Sequence, residues 1–236
     1  MPGKRKVQFV NGGIYHIVTR AVDGTELFRE QGDNLRMTHD IFEFNDLTPL
    51  SSALRIVHCR NKNNTIPLTT ERRERKLLVE ILAFCFMPNH VHLLLRQLQD
   101  RGVQKFMQKL GGYTTYYNKK YQRQGYLFQG RYRAVHIKDD KQLMTVFVYI
   151  HTNPVALLYP GWKERGIKDI KKAIEFINQY RWSSYLDYLG IKNFPSLTSR
   201  EFLIKTIGGM EECQRLVEDW LYQKRVLFDL DKVALE

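Results

Sequence analysis

Residues 77–96 read LLVEILAFCFMPNHVHLLLR and contain the clearest strand signals of the sequence. The run over 77–86 is apolar apart from Glu80, which is typical of a strand buried on both faces. Met87, Pro88 and Asn89 form a turn signal, and an alternating pattern begins at His90. The stretch therefore predicts a hairpin of two central strands.

The segments on either side of this hairpin complete an α+β pattern. A β-branched and aromatic run over 14–20 predicts a strand, and apolar spacing over 33–44 predicts a helix. Downstream, the pattern predicts helices over 103–121, 140–152, 167–178 and from 199 onward, with a strand over 131–138. This order predicts an α+β fold: a ferredoxin-like antiparallel sheet with helices on one face, plus a helical C-terminal extension.

The same pattern suggests the domain organisation. We expect one domain over residues 1–190 and a helical C-terminal extension over 191–236. Between about residues 46 and 76 the periodicity fails and Pro49, Asn61 and Pro67 punctuate the chain. We interpret this stretch as an insertion into the domain.

Composition narrows the class of protein. The 236 residues include 37 Lys and Arg against 25 Asp and Glu, a net charge of +12, which favours a polyanionic partner such as nucleic acid. Three cysteines without a CxxC pair argue against a disulfide scaffold and a cysteine-based zinc site. Without an apolar run of ~20 residues or a secretory signal, the expectation is a cytoplasmic protein with no membrane association.

Part of the positive charge is interleaved with aromatic residues. Residues 113–133 read YTTYYNKKYQRQGYLFQGRYR, a composition suited to phosphate contact combined with base stacking. A structural role for these side chains fits the pattern equally well. The candidate DNA-binding residues are Lys119, Lys120, Arg123, Gln129, Arg131 and Arg133.

His90 and His92 form the sharpest local feature of the sequence. On a strand, residues i and i+2 point to the same face, so their two imidazoles can share one divalent cation. Two histidines on a strand are also common as plain surface residues. On the neighbouring first strand, His16 can approach the pair, although a core or surface role is the simpler interpretation.

Tyr149 and Asn153 form a second pair, in the segment YIHTNPV. Residues i and i+4 lie about 40° apart around a helix axis, so these two share a face. The amide oxygen of Asn153 can ligate a metal, and a metal that polarises a phosphate makes tyrosine a useful nucleophile. Together with two imidazoles this set suits phosphodiester transesterification, although the spacing of Tyr149 alone fits a core aromatic.

Several segments carry a family resemblance in the same order. They read GGIYHIVTR, AFCFMPNHVHLLL, GGYTTYYNKKYQRQGYLFQGRYRAV, YIHTNPV and RWSSYLDYLG, and they span residues 12–190 apart from about 46–76. In this combination the chain resembles the single-tyrosine HUH transposases, in particular those associated with repetitive extragenic palindromes (REP). The stretch over 46–76 is longer than that family pattern leads one to expect, and the tail after Gly190 matches less clearly.

The resemblance implies a function and a site. It implies cleavage and joining of single-stranded DNA with hairpin structure, leaving a 5′-phosphotyrosine and a free 3′-hydroxyl. It implies that Tyr149 is the nucleophile and that His90, His92 and Asn153 bind Mg²⁺ or Mn²⁺. Relatives of this type act as a monomer or a homodimer, and the sequence leaves that choice open.

Two other functions remain open at the level of sequence. A domesticated, non-catalytic protein would bind hairpin DNA without cutting it and without needing a metal. A metal-dependent hydrolase would activate water, so its cleavage would survive the loss of Tyr149.

Overall fold

The computed structural model describes residues 7–47 and 75–233. The predicted insertion over 46–76 therefore lies mostly outside the described residues. None of the helices within the two described ranges is both long and apolar enough to cross a membrane.

The four strands form one antiparallel sheet. They are β1 (Ile14–Arg20), β2 (Val79–Met87), β3 (His90–Gln97) and β4 (Arg133–Ile137), in the order β2-β3-β1-β4. Each neighbouring pair is antiparallel. The predicted hairpin and the predicted α+β class are confirmed.

The helices follow the predicted order, but the helices predicted over 103–121 and from 199 onward are each divided in two, and the short helices between residues 155 and 165 were not predicted. The described helices are α1 (Gln31–Phe44), α2 (Gly102–Leu110), α3 (Tyr113–Lys120), α4 (Asp140–Thr152), α5 (Val155–Leu158), α6 (Trp162–Arg165), α7 (Ile170–Ile177), α8 (Tyr185–Tyr188), α9 (Glu201–Ile207) and α10 (Met210–Val233). The helix predicted over 103–121 is two helices, α2 and α3. They separate at Gly111 and Gly112, because glycine costs about 1 kcal/mol relative to alanine within a helix.

Helices cover both faces of the sheet, whereas the sequence predicted one face. Tyr15, Ile17 and Phe84 point to one side and pack against α1, α2 and α3. Ala83 and Leu94 point to the other side, against α4 and the helices that follow it. The physical reason lies in β2, whose side chains are buried on both sides and need apolar partners on each.

The two faces of the sheet carry different side chains. The histidine face carries the side chains of His16, His90 and His92, and the tyrosine face carries Tyr15 and Ile17. The C-terminal helices α9 and α10 belong to the histidine side, where they contribute buried residues to the same core as the sheet. The domain boundary at Gly190 stays a prediction.

Candidate active site

A tight turn positions the start of β3. Pro88 and Asn89 form the two-residue connection between β2 and β3. The carbonyl oxygens of Pro88 and Asn89 accept hydrogen bonds from the backbone N–H groups of Leu27 (2.6 Å) and Ala21 (2.8 Å). The turn is thereby tied to the chain that follows β1, and His90 begins its strand at a defined place.

The register of the sheet then brings three histidines together. His90 lies opposite Arg20, His92 lies opposite Val18, and His16 is two residues before Val18 on β1. Because side chains alternate along a strand, these residues share the histidine face. The ring centroids are 4.8 Å apart for His90 and His92 and 5.2 Å apart for His16 and His92.

Burial keeps the three imidazoles neutral. Together with the charge of Lys163, it lowers the pKa of His16 to about 4. Burial, followed by the charges of Arg20 and Lys163, lowers the pKa of His90 to about 4. Burial, followed by the neighbouring His16 and His90, lowers the pKa of His92 to about 2. At neutral pH each ring therefore keeps one nitrogen with a lone pair, which can bind a cation or accept a hydrogen bond.

Hydrogen bonds at Nδ1 select which nitrogen of each predicted ligand carries that lone pair. His90 Nδ1 donates to the Asn89 side-chain oxygen at 2.7 Å, so Nε2 of His90 has the lone pair. His92 Nδ1 lies 3.0 Å from Nε2 of His16, and Nε2 of His92 is buried without a hydrogen-bond partner. If His16 were the donor, His92 would bury an N–H without an acceptor, so we assign His92 Nδ1–H as the donor.

Helix α4 brings the tyrosine to these histidines. It begins after Asp139, whose side chain accepts a hydrogen bond from the backbone N–H of Gln142, and it buries Phe147 and Ile150 in the core. Tyr149 lies away from these two core residues and is 36% exposed. Its ring centroid is 5.5 Å from that of His92 and 5.8 Å from that of His16.

Asn153 lies one helical turn after Tyr149, as predicted. Its side-chain N–H donates to the backbone carbonyl oxygen of Tyr149 at 2.7 Å, which fixes the orientation of the amide. The amide oxygen faces Lys163, whose Nζ is 3.5 Å away. That oxygen is the atom that a cation would need.

Lys163 is a site residue that the sequence analysis missed. Its Nζ lies 3.7 Å from the centroid of the Tyr149 ring. Burial lowers the pKa of Lys163 to about 8; the adjacent Glu164 opposes this shift, and Lys224 adds to it. No motif marks Lys163, because it belongs to the four-residue helix α6 and reaches the site only through tertiary packing.

The sequence also did not predict the contacts that His16 and Asn89 make with the two predicted histidine ligands. The sequence favoured a core or surface role for His16 and treated Asn89 only as a turn residue. In the structure, His16 contacts Nδ1 of His92 and Asn89 contacts Nδ1 of His90. Metal-binding histidines commonly have such a partner on the nitrogen that faces away from the metal. The position of Asn89 directly before His90 was the sequence feature that could have indicated this role.

The site fits a divalent cation in its donor chemistry. Within residues 7–47 and 75–233, no group of three or more His, Cys, Asp or Glu side chains is arranged to hold a metal. The predicted ligand set combines two histidines with an amide, so it does not depend on such a group. The buried, unpartnered Nε2 of His92 is the observation that supports the fit.

The predicted DNA-binding residues are divided between different places. Arg133 is exposed and lies opposite Val18 on the histidine face, and the backbone N–H of Gln129 donates to the Arg20 carbonyl. Arg131 borders a groove beside α2. Lys119, Lys120 and Arg123 lie in or just after α3, on the tyrosine side of the sheet.

His151, between Tyr149 and Asn153, points into the core. The sequence left a structural role or a phosphate contact open for it. The side chain is fully buried, and its Nε2 lies 2.8 Å from the hydroxyl of Ser184. Burial lowers the pKa of His151 to about 3, so it remains neutral and structural.

The part of the chain that carries this candidate site is similar to known proteins. Residues 62–153 match the family model described as IS200-like transposase. None of the curated proteins matches the chain significantly. One similar solved structure is a REP-associated tyrosine transposase bound to a REP hairpin, with 15% identity and a TM-score of 0.45 over 84% of this chain and 95% of that chain. The match to the family model confirms the predicted resemblance at the level of the IS200-like transposases, over residues that contain His90, His92, Tyr149 and Asn153.

Proposed function

We propose that this protein is a metal-dependent DNA nickase and strand transferase that acts on single-stranded DNA with hairpin structure. One observation carries the proposal. The accessible Tyr149 ring packs beside His16 and His92, and His92 presents a buried nitrogen without a hydrogen-bond partner. A nucleophile next to a cation-binding group is the arrangement that phosphodiester transesterification requires.

In this proposal His90, His92 and Asn153 hold Mg²⁺ or Mn²⁺. The bound cation would withdraw negative charge from the phosphate under attack. The chain's own residues prepare the site for it. Asn89 and His16 hold the two imidazoles with Nε2 unprotonated, and the Tyr149 carbonyl holds the Asn153 amide with its oxygen towards Lys163.

The covalent step joins Tyr149 to the 5′-phosphate of the DNA fragment downstream of the cut. The phenol oxygen of Tyr149 forms a bond to phosphorus, and its proton passes to solvent. The bond between phosphorus and the 3′-oxygen breaks, and that oxygen takes up a proton to become a free 3′-hydroxyl. The 5′-phosphotyrosine keeps the energy of the phosphodiester, so a later 3′-hydroxyl can reverse the step and join strands.

The charge of the histidine face supports a DNA substrate. Since the three histidines are neutral, the positive charge around them comes from lysine and arginine side chains. Arg20 lies opposite His90, and Arg133 lies opposite Val18 on the same face. Both are exposed and can contact phosphates on either side of the cleavage position.

The proposal is tested with labelled hairpin oligonucleotides and a denaturing gel. Wild type and Tyr149→Phe are incubated with Mn²⁺, Mg²⁺ or EDTA. We expect a metal-dependent, protease-sensitive adduct in the wild type alone. Binding without an adduct across the panel would favour the non-catalytic hairpin-binding protein. Cleavage that survives Tyr149→Phe would favour the hydrolase.

A further inference from the structure

Lys163 lies beside the proposed nucleophile Tyr149 and the predicted metal ligand Asn153. Its ammonium lies over the Tyr149 ring and beside the Asn153 amide oxygen, at 3.7 Å and 3.5 Å. It is also close enough to affect the protonation of His16, His90 and His92. Lys163 therefore lies among all of the predicted site residues.

The charge of Lys163 is not neutralised by an ion pair. Within the part of the chain that the structure describes, none of the salt bridges involves Lys163. Glu164 follows it in the chain and is exposed. The described contacts of the ammonium are the rings of Tyr149 and Trp162 and the amide oxygen of Asn153, and the charge of Lys224 also acts on it. A half-buried cation in these surroundings attracts an anion.

The fold holds Lys163 in this position from two sides. Trp162, the preceding residue, is buried in the core, and Gly161 before it adopts a left-handed backbone conformation (φ 75°) that favours glycine. From the C-terminal helix α10, Lys224 Nζ donates to the backbone carbonyl oxygen of Lys163 at 3.0 Å. The C-terminal extension thus takes part in placing this lysine.

We propose that Lys163 binds the phosphate that Tyr149 attacks, and that it is a further catalytic residue of this site. The inference rests on the proposed function. The cation over the phenol ring also favours the negative charge that develops on the attacking oxygen.

The position of Lys163 also predicts a coupling between DNA binding and metal binding. A divalent cation held by His90, His92 and Asn153 would lie near the Lys163 ammonium, and the two positive charges would repel each other. A phosphodiester between them removes this repulsion, because both positive charges then face its oxygens. DNA binding and metal binding should therefore strengthen each other, and Lys163 should be the residue that couples them.

The first experiment measures binding without chemistry. The probe is a fluorescent hairpin oligonucleotide with single-stranded flanks, titrated by anisotropy in EDTA at several salt concentrations. We expect Lys163→Met to weaken binding about tenfold and to reduce the salt slope by about 0.7, the value for one phosphate contact in single-stranded DNA. Lys163→Arg should retain both, and Lys171→Met, at an exposed lysine of α7, should change neither.

The second experiment identifies the phosphate. Each linkage in the single-stranded flanks is replaced in turn by an uncharged methylphosphonate. At one linkage the replacement should weaken binding to the wild type but not to Lys163→Met. In Mn²⁺, the wild-type adduct should form at that same linkage. If Lys163→Met lowers the melting temperature, Lys163→Gln provides a second neutral variant.

The outcomes separate the two proposals. Unchanged affinity and salt slope in both neutral variants would overturn the role of Lys163, and so would coupling to a linkage that is not the one cut. A wild type that couples Lys163 to one linkage but forms no adduct would overturn the proposed function. It would leave Lys163 as a phosphate contact.

Discussion

The two faces of the sheet each place tyrosines beside a lysine, with opposite results. On the tyrosine side, Tyr116 and Tyr121 donate hydrogen bonds to the buried carboxylate of Asp33, and Lys120 forms ion pairs with Asp33 and Glu30. On the histidine side, Lys163 contacts the Tyr149 ring, and none of the salt bridges in residues 7–47 and 75–233 involves Lys163.

The carboxylate makes the difference. Burial alone would raise the pKa of Asp33, but the hydrogen bonds from Lys120, Tyr121 and Tyr116 outweigh it and hold the pKa below its usual value. Burial would likewise lower the pKa of Lys120, yet its bonds to Asp33 and Glu30 raise it. The same residue types therefore cross-link α1 and α3 on one face, whereas on the other face Tyr149 and Lys163 are not bound into such a network.

The largest expected effect separates the tyrosines. Tyr149→Phe should reduce the covalent DNA adduct at least about 1000-fold with little change in melting temperature, because only the nucleophile is lost. Tyr116→Phe should keep the adduct and lower the free energy of unfolding by about 1 kcal/mol, since it loses the hydrogen bond to Asp33. Gel analysis and thermal unfolding measure both. Equal loss of adduct in the two variants would contradict the comparison.

The next effect tests the structural role of Asp33. Asp33→Ala should lower the free energy of unfolding by about 3–5 kcal/mol, because it removes the acceptor of a buried network. Asp100→Ala, at an exposed aspartate, should stay within about 0.5 kcal/mol of the wild type. Urea titration provides the measurement. A stable Asp33→Ala protein would show that the tyrosine side does not depend on this carboxylate.

A smaller effect concerns His16 on the histidine face. His16→Phe keeps a ring of similar size but removes the acceptor for His92 Nδ1, so Mn²⁺ affinity should fall about 10- to 100-fold. The control is His136→Phe, at an exposed histidine on the neighbouring strand β4. Calorimetric titration of both variants with Mn²⁺ decides the matter. Unchanged affinity in His16→Phe would reduce this histidine to a packing residue.

The smallest expected effect is the change in the free energy of unfolding with each unit of pH. Burial lowers the pKa of His16 and His90 to about 4 and of His151 to about 3, from an ordinary value of 6.5. The unfolded chain therefore takes up protons first as the pH falls. The stability contributed by the neutral rings is complete above pH 6.5 and is lost from there down towards pH 4.

Each such histidine contributes a slope of about 1.4 kcal/mol per pH unit in that window. Urea unfolding between pH 8 and pH 4.5 without metal should show this decline. His151→Gln should reduce the slope of the free energy of unfolding against pH by about 1.4 kcal/mol per pH unit, because one buried neutral ring is removed. A free energy of unfolding that stays level between pH 7 and pH 5 would contradict the assigned burial of these rings.

The local patterns of the sequence were sufficient for most elements. The strand predicted over 14–20 is β1 (Ile14–Arg20), and the helix predicted to stop before Asn153 ends at Thr152. Alternation with period 2 and the stop signal before proline are properties of short segments, so they can be read without the rest of the chain. Two predictions needed revision: the helix over 103–121 is broken, and helices cover both faces of the sheet.

Local sequence patterns predicted two pairs of candidate site residues. His90 and His92 share a face because strands alternate, and Tyr149 and Asn153 share a face because helices turn about 100° per residue. Only the tertiary structure decided what joins these pairs. His16 reaches His92 across 76 residues through the register of β1 and β3, and Lys163 reaches Tyr149 through the packing of α6 under α10. Register and helix packing depend on contacts between distant segments, and local periodicity carries no information about them.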